Sequence, residues 1–62
     1  MEPKIRKARK AAGLSKRALA VKAGVSEAVV RKWELNGTSN ARAGHLAKAA
    51  KALGVSVESI ID

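Results

Sequence analysis

The sequence predicts an all-α domain built from five short helical pieces, and three observations carry that reading. Apolar residues recur three and four apart along most of the chain. Glycines and Ser/Asn clusters cut that pattern into short segments. Strand signals are confined to the Val29-Val30 pair, too short to stand alone amid alanine-rich flanks.

Each piece has its own start and stop. Pro3 suits a first helical position, where a missing N–H costs nothing. Ile5, Ala8 and Ala12 then form a stripe, and Gly13 closes the helix. Ser15 is a good N-cap for the second piece; Leu19, Ala20 and Ala23 line its inner face and Gly24 stops it. Ser26 caps the third, with Glu27 in the favourable first turn and Val30 and Trp33 three apart. The run Asn36-Gly37-Thr38-Ser39-Asn40 reads as a loop. Ala43, Leu46, Ala49, Ala50 and Leu53 stripe the fourth piece, which ends at Gly54. Ser56 caps a last turn containing Val57, Ile60 and Ile61. No internal repeat or linker interrupts residues 1–62, so they read as one domain.

Composition narrows the function. The chain has 62 residues, of which 13 are alanine, and it carries one Trp and no Phe or Tyr. A domain this small buries only about 60% of the surface its unfolded chain exposes, so compact helix packing must carry its stability. The absence of cysteine excludes disulfides and thiolate zinc, and the single His45 cannot assemble a metal cluster. No cofactor or metal is expected. Few aromatics argue against single-strand readers that stack bases on rings. Glu2, Glu27, Glu34, Glu58, Asp62 and His45 form no nucleophile–base spacing, and no Gly-rich phosphate loop precedes a helix; the chain does not read as an enzyme.

Charge points to the partner. The net charge is +8, and residues 1–22 hold Lys4, Arg6, Lys7, Arg9, Lys10, Lys16, Arg17 and Lys22 against Glu2 alone. Such a surface favours a polyanion, nucleic acid first and an anionic membrane second, against the plainer reading of a solvated lysine-rich face. No run is apolar enough to span a bilayer, and charges break the N-terminus before any secretory segment could form. A cytoplasmic location without membrane attachment is expected.

Residues 15–35 are the informative segment. Two short helices flank Gly24, with only Val25 and the Ser26 cap between them, and so brief a connection forces the sharp turn of a helix-turn-helix. Ala20 lets the second helix approach closely, Gly24 tolerates a left-handed conformation, and Val30 supplies a branched wedge. Leu14-Ser15-Lys16-Arg17-Ala18-Leu19-Ala20, Ala23-Gly24-Val25-Ser26 and Val30-Arg31-Lys32-Trp33-Glu34 together resemble the helix-turn-helix of phage-type Cro and CI repressors, the XRE-like family. The tail from Leu46 to Ser56 resembles the usual ending of that domain, so the likeness spans about residues 4–61.

The resemblance implies a lambda-repressor-like, five-helix domain that binds double-stranded operator DNA as a homodimer in a bacterial or phage-infected cell. The helix over residues 26–35 would enter the major groove, with Ser26, Glu27, Ala28, Val29 and Lys32 facing base edges. Lys32 can donate to guanine, Ser26 can bond either way, Glu27 can accept from cytosine, and Ala28 or Val29 can meet a thymine methyl. Glu27 reads equally as a helix-dipole carboxylate, and Ala28 and Val29 as exposed bystanders. Phosphate contacts would come from Ser15, Lys16 and Arg17 at the second helix's N-terminus, flanked by Arg31 and Arg42. Arg6 and Lys10 project less clearly toward a duplex.

Within the same resemblance, Arg9 and Glu34 would form a partly buried pair fixing the first helix to the reading helix, the alternative being an exposed pair of little worth. Trp33 reads as core rather than as a nucleic-acid wedge. Val57, Ile60 and Ile61 are the expected dimer surface, or else close the monomer core. A transcriptional repressor follows; an antitoxin-type protein-interaction module and a non-specific basic DNA-binding protein are the competing readings. The sequence departs from the family pattern in one extra residue at Leu35-Asn36, in Ala41 where proline is common, and in an unexplained apolar Val21.

Overall fold

A computed structural model describes residues 2–62, and among them the regular elements are all helical: α1 (Lys4–Ala11), α2 (Lys16–Ala23), α3 (Glu27–Asn36), α4 (Ala43–Leu53) and a closing 3-10 turn (Val57–Ile60). The fifth piece is thus a single tight turn rather than an α-helix. Pro3 sits one position earlier than expected. Its extended backbone, φ −58° and ψ 143°, makes it the residue before the helix, with its carbonyl accepting from Lys7 N–H at 3.1 Å. At the other end Ala12 leaves the α1 stripe, because a helix of 8 residues has already closed and Ala12 is exposed.

Side-chain caps set the middle of the fold. Ser15 Oγ accepts from Ala18 N–H at 3.0 Å, and Ser26 Oγ accepts from Val29 N–H at 3.2 Å. Between these two starts the chain reverses at Gly24, whose φ of +71° is the left-handed conformation a side chain would resist. The α2–α3 connection therefore needs only residues 24–26, and the two helices pack against each other. Asn36 belongs to α3 rather than to the loop, and Leu35, one residue earlier, is 73% exposed.

Packing centres on α2, which lies against both α3 and α4. Its buried face is Leu19, Ala20 and Ala23, and that of α4 is Leu46, Ala49, Ala50 and Leu53. Small alanines on both facing surfaces leave room for the two backbones to approach closely. Ile5, Leu19, Val30 and Ile60 are each fully buried, and each stabilises the fold by about 1.5–3 kcal/mol. Trp33 is buried in the same core.

The loop after α3 is tied down by Thr38, a fully buried polar residue. Its Oγ1 donates to the Ile60 carbonyl at 2.6 Å and accepts from Asp62 N–H at 3.1 Å. The Asp62 carboxylate in turn accepts from Lys4 N–H at 3.1 Å, an amide at the start of α1 with no partner inside the helix. These bonds press the 3-10 turn onto α1 and α4 and correct one expectation. Ile60 is fully enclosed within the monomer, because the Thr38 anchor holds its backbone against the core, so it cannot form a surface for a second copy. Val57 is half-buried against the same core, and Ile61 is exposed.

Candidate nucleic-acid interface

The candidate interface is built from three exposed edges: the start of α2, the outward face of α3 and the start of α4. At the first, Ser15 and Arg17 are exposed and Lys16 is half-buried. Capping uses one lone pair of Ser15 Oγ, so its hydroxyl proton remains available to an acceptor. The neighbouring N–H groups of the first turn point the same way, and α2 has no acidic residue there to compete for them.

Along α3 the inward face is Val30, Trp33 and Glu34, and the outward face is Glu27, Ala28, Arg31 and Lys32, all exposed. Ser26 is exposed at the tip, its Oγ engaged as the cap. Val29 is only half exposed and packs partly against the core, so less of it is available to a base than of Ala28. Glu27 Oε2 and Arg31 Nη2 lie 3.5 Å apart, an open i,i+4 pair worth a few tenths of a kcal/mol at about the helix-surface norm. Each can leave the other for a ligand at little cost. Arg42 is exposed at the N-cap of α4 and makes no side-chain cap. It stands beside unpaired first-turn amides, a second place where an anion is favoured.

Behind the outward face of α3 lies an ionic cluster. Glu34 has a fully buried side chain, and Arg9 grips it with two nitrogens, Nε to Oε2 at 2.7 Å and Nη2 to Oε1 at 3.1 Å. Arg9 Nη1 also donates to the Leu14 carbonyl at 2.9 Å, linking α1, α3 and the α1–α2 turn through one guanidinium. Arg6, weighed in the sequence only as a DNA contact, is a second partner of this carboxylate, its Nε donating to Glu34 Oε1 at 2.9 Å. The available signal was its spacing, since residues three apart share a helix face. Burial pushes the Glu34 carboxyl up, but hydrogen bonds from Arg9 and Arg6, with the nearby charges of Arg9 and Lys16, hold it below the ordinary carboxylate value. The Glu34 hydrogen bond raises Arg9 against the opposing effect of burial. The cluster carries two cations on one anion, so α1 leaves a residual positive charge beside the start of α2.

Lys10 pairs at the surface with Glu2 at 3.0 Å. Half-buried His45 lies near the start of α4. Among the described residues no group of three or more His, Cys, Asp or Glu could hold a metal ion, and no helix is long and apolar enough to cross a membrane.

A family model described as helix-turn-helix matches residues 5–60. Among solved structures, the solution structure of the N-terminal DNA-binding domain of SinR, the master biofilm regulator of Bacillus subtilis, is 36% identical with a TM-score of 0.84, over 94% of this chain and 84% of that one. A crystal structure of the same regulator in complex with DNA gives the same identity and TM-score, over 94% of this chain and 92% of that one. Apo-HppE is similar at a TM-score of 0.81, but it is only 22% identical and is covered over 33% of its length, which shows a shared fold alone. No curated protein sequence matches the chain.

Proposed function

Because this chain belongs to the helix-turn-helix family, we propose that it is a transcription regulator that binds double-stranded DNA by sequence, with α3 in the major groove. One observation carries the reading. The α3 helix is two-faced: Val30, Trp33 and Glu34 lock it to the core while Glu27, Ala28, Arg31 and Lys32 stand in solvent. A helix held rigidly on one side and polar on the other is what base-edge readout needs. The likeness to a regulator solved in complex with DNA supports the same assignment.

On this reading Lys32 and Ser26 donate to base edges, Ala28 and the exposed part of Val29 meet thymine methyls, and Glu27 accepts from cytosine after releasing Arg31. Ser15, Lys16, Arg17, Arg31 and Arg42 hold phosphates, which fixes register without reading sequence. The net charge of +8 accelerates encounter and makes binding strongly salt-dependent. The regulator acts as an occupancy repressor on a roughly palindromic operator, as a homodimer whose half-sites lie about 34–36 Å apart. Ile61 and the exposed part of Val57 supply the apolar contact between copies. No cofactor enters this mechanism.

Selection from a random duplex library near physiological salt tests the proposal. A two-fold symmetric motif is the expected result, and a single asymmetric half-site would remove the dimer. DNA retained without any enriched motif would overturn sequence-specific reading in favour of non-specific binding. No retained DNA would favour a protein-interaction module.

A further inference from the structure

The C-terminal ends of α2 and α4 meet in an open groove that the DNA-binding reading leaves unused. It is lined by Val21, Lys22, Gly24, Lys48, Lys51 and Ala52. We propose that this groove docks an acidic, amphipathic segment of a partner protein, with carboxylates on its lysines and an apolar side chain on Val21 and Ala52.

Two independent features support this occupant. The first is charge. Lys22, Lys48 and Lys51 are exposed, and among the described residues none has a carboxylate within ion-pair distance. Lys22 and Lys51 stand in the last turns of their helices, where a cation offsets the helix dipole. Lys48 lies outside any last turn, so dipole compensation does not account for the whole set. The second feature is Val21, the most exposed large apolar side chain of the domain at 74%. It occupies the outermost line of α2, opposite Leu19, Ala20 and Ala23, and nothing in the fold uses it. A basic rim around an exposed valine matches a ligand with both acidic and apolar groups.

The other occupants fit less well. The carbonyl ends of two helices disfavour a bare anion of either kind, phosphate or carboxylate. The occupant must therefore also gain from apolar contact at Val21 and Ala52, which a phosphate lacks and an amphipathic segment supplies. The favourable end of α2, at Ser15 and Lys16, lies about 10 Å further along the same helix. A second copy would bring its own excess of lysines, because each chain carries a net charge of +8. An acidic segment gains from that same excess.

The test titrates the isotope-labelled 62-residue chain with three probes and follows its amide resonances. One probe is a synthetic amphipathic helical peptide with glutamates on one face and leucines on the other. The others are an oligoglutamate of equal charge and a DNA duplex. The expected result is saturable shifts at residues 21–24 and 48–52 with the amphipathic peptide. Val21→Ser should weaken that peptide roughly 5- to 10-fold, leave the oligoglutamate unchanged and leave duplex affinity unchanged. Lys48→Glu with Lys51→Glu should weaken the peptide by about tenfold or more. All three positions are exposed, so the variants should keep the fold. Equal affinity for the two peptides, no effect of Val21→Ser, or peptide shifts confined to residues 15–17 and 26–32 would each overturn the proposal. So would a duplex that shifts the groove amides and binds Val21→Ser more weakly, since the groove would then belong to nucleic acid.

Discussion

Replacing Glu34 with glutamine removes a charge but almost no volume, and it isolates what the buried cluster contributes. In the native chain this carboxylate accepts two nitrogens of Arg9 and one of Arg6 from a fully buried position. Removing one member of a buried pair typically costs about 3–5 kcal/mol, chiefly because the remaining charge is left uncompensated. The arginine side chains here keep some contact with water, 32% exposure at Arg6 and 12% at Arg9, so their hydration recovers part of that loss. The expected cost is about 2–4 kcal/mol. A domain of this length has roughly 3–9 kcal/mol in total, so Glu34→Gln should leave the chain marginal and lower its melting temperature by roughly 10–30 °C. Urea unfolding followed by the fluorescence of the lone Trp33, next in sequence to Glu34, and by far-ultraviolet circular dichroism would measure it. Arg6→Gln is the control. It leaves the bidentate Arg9 contact in place and should cost under about 1 kcal/mol. A Glu34→Gln loss below about 1 kcal/mol, or an Arg6→Gln loss of equal size, would refute the account of a buried clamp centred on Arg9.

The remaining predictions concern the same frame. Glu34 has its folded-state pKa depressed, so its stabilisation is complete above the ordinary carboxylate pKa and is lost as pH falls through the depressed value. Urea midpoints should therefore drop on the acid side in the native chain, and Glu34→Gln should flatten that part of the profile. Thr38→Val keeps the shape but strands the buried Ile60 carbonyl, and should cost about 1–3 kcal/mol in the same unfolding assay. Ser26→Ala removes the α3 cap and should cost about 0.5–2 kcal/mol, measured by thermal melting. On DNA, Lys32→Ala should relax selectivity at one base position, whereas Lys16→Ala should weaken matched and mismatched duplexes alike. Parallel titrations in which the two variants behave identically would refute that division of labour.

Much of this fold is legible in the sequence because its signals are local. Ser15, Gly24 and Ser26 mark helix ends with their own backbone chemistry, and Leu19, Val30 and Leu53 declare buried faces by spacing alone. The segment after α3 is harder to read. Thr38 sits in a polar run that looks like solvent-exposed loop, and its burial depends on Ile60 and Asp62, more than 20 residues away in sequence. Ile60 is ambiguous for the same reason, since an isolated apolar residue in a short turn looks alike whether it closes a core or meets a partner. At the candidate site the residue types are visible at once, but their pairing is not. The i,i+4 pair Glu27–Arg31 is the exception, given by spacing along α3 alone, whereas the convergence of Arg6 and Arg9 on one carboxylate also depends on where α1 meets α3.

The two-faced α3 separates what must stay from what is free to vary. Its holding side is anchored by Trp33, Val30 and the Arg9–Glu34 clamp, and its tip depends on the Ser26 cap. Positions 27, 28, 31 and 32 make no buried contact, and substitutions at such sites usually change stability by less than about 0.5 kcal/mol. On the proposed reading the helix works like a key blank, with teeth at 27, 28 and 32, a phosphate grip at 31 and its bow fixed. Randomising positions 27, 28 and 32 should yield folded proteins with new sequence preferences, so that one scaffold serves many operators, in evolution or at the bench.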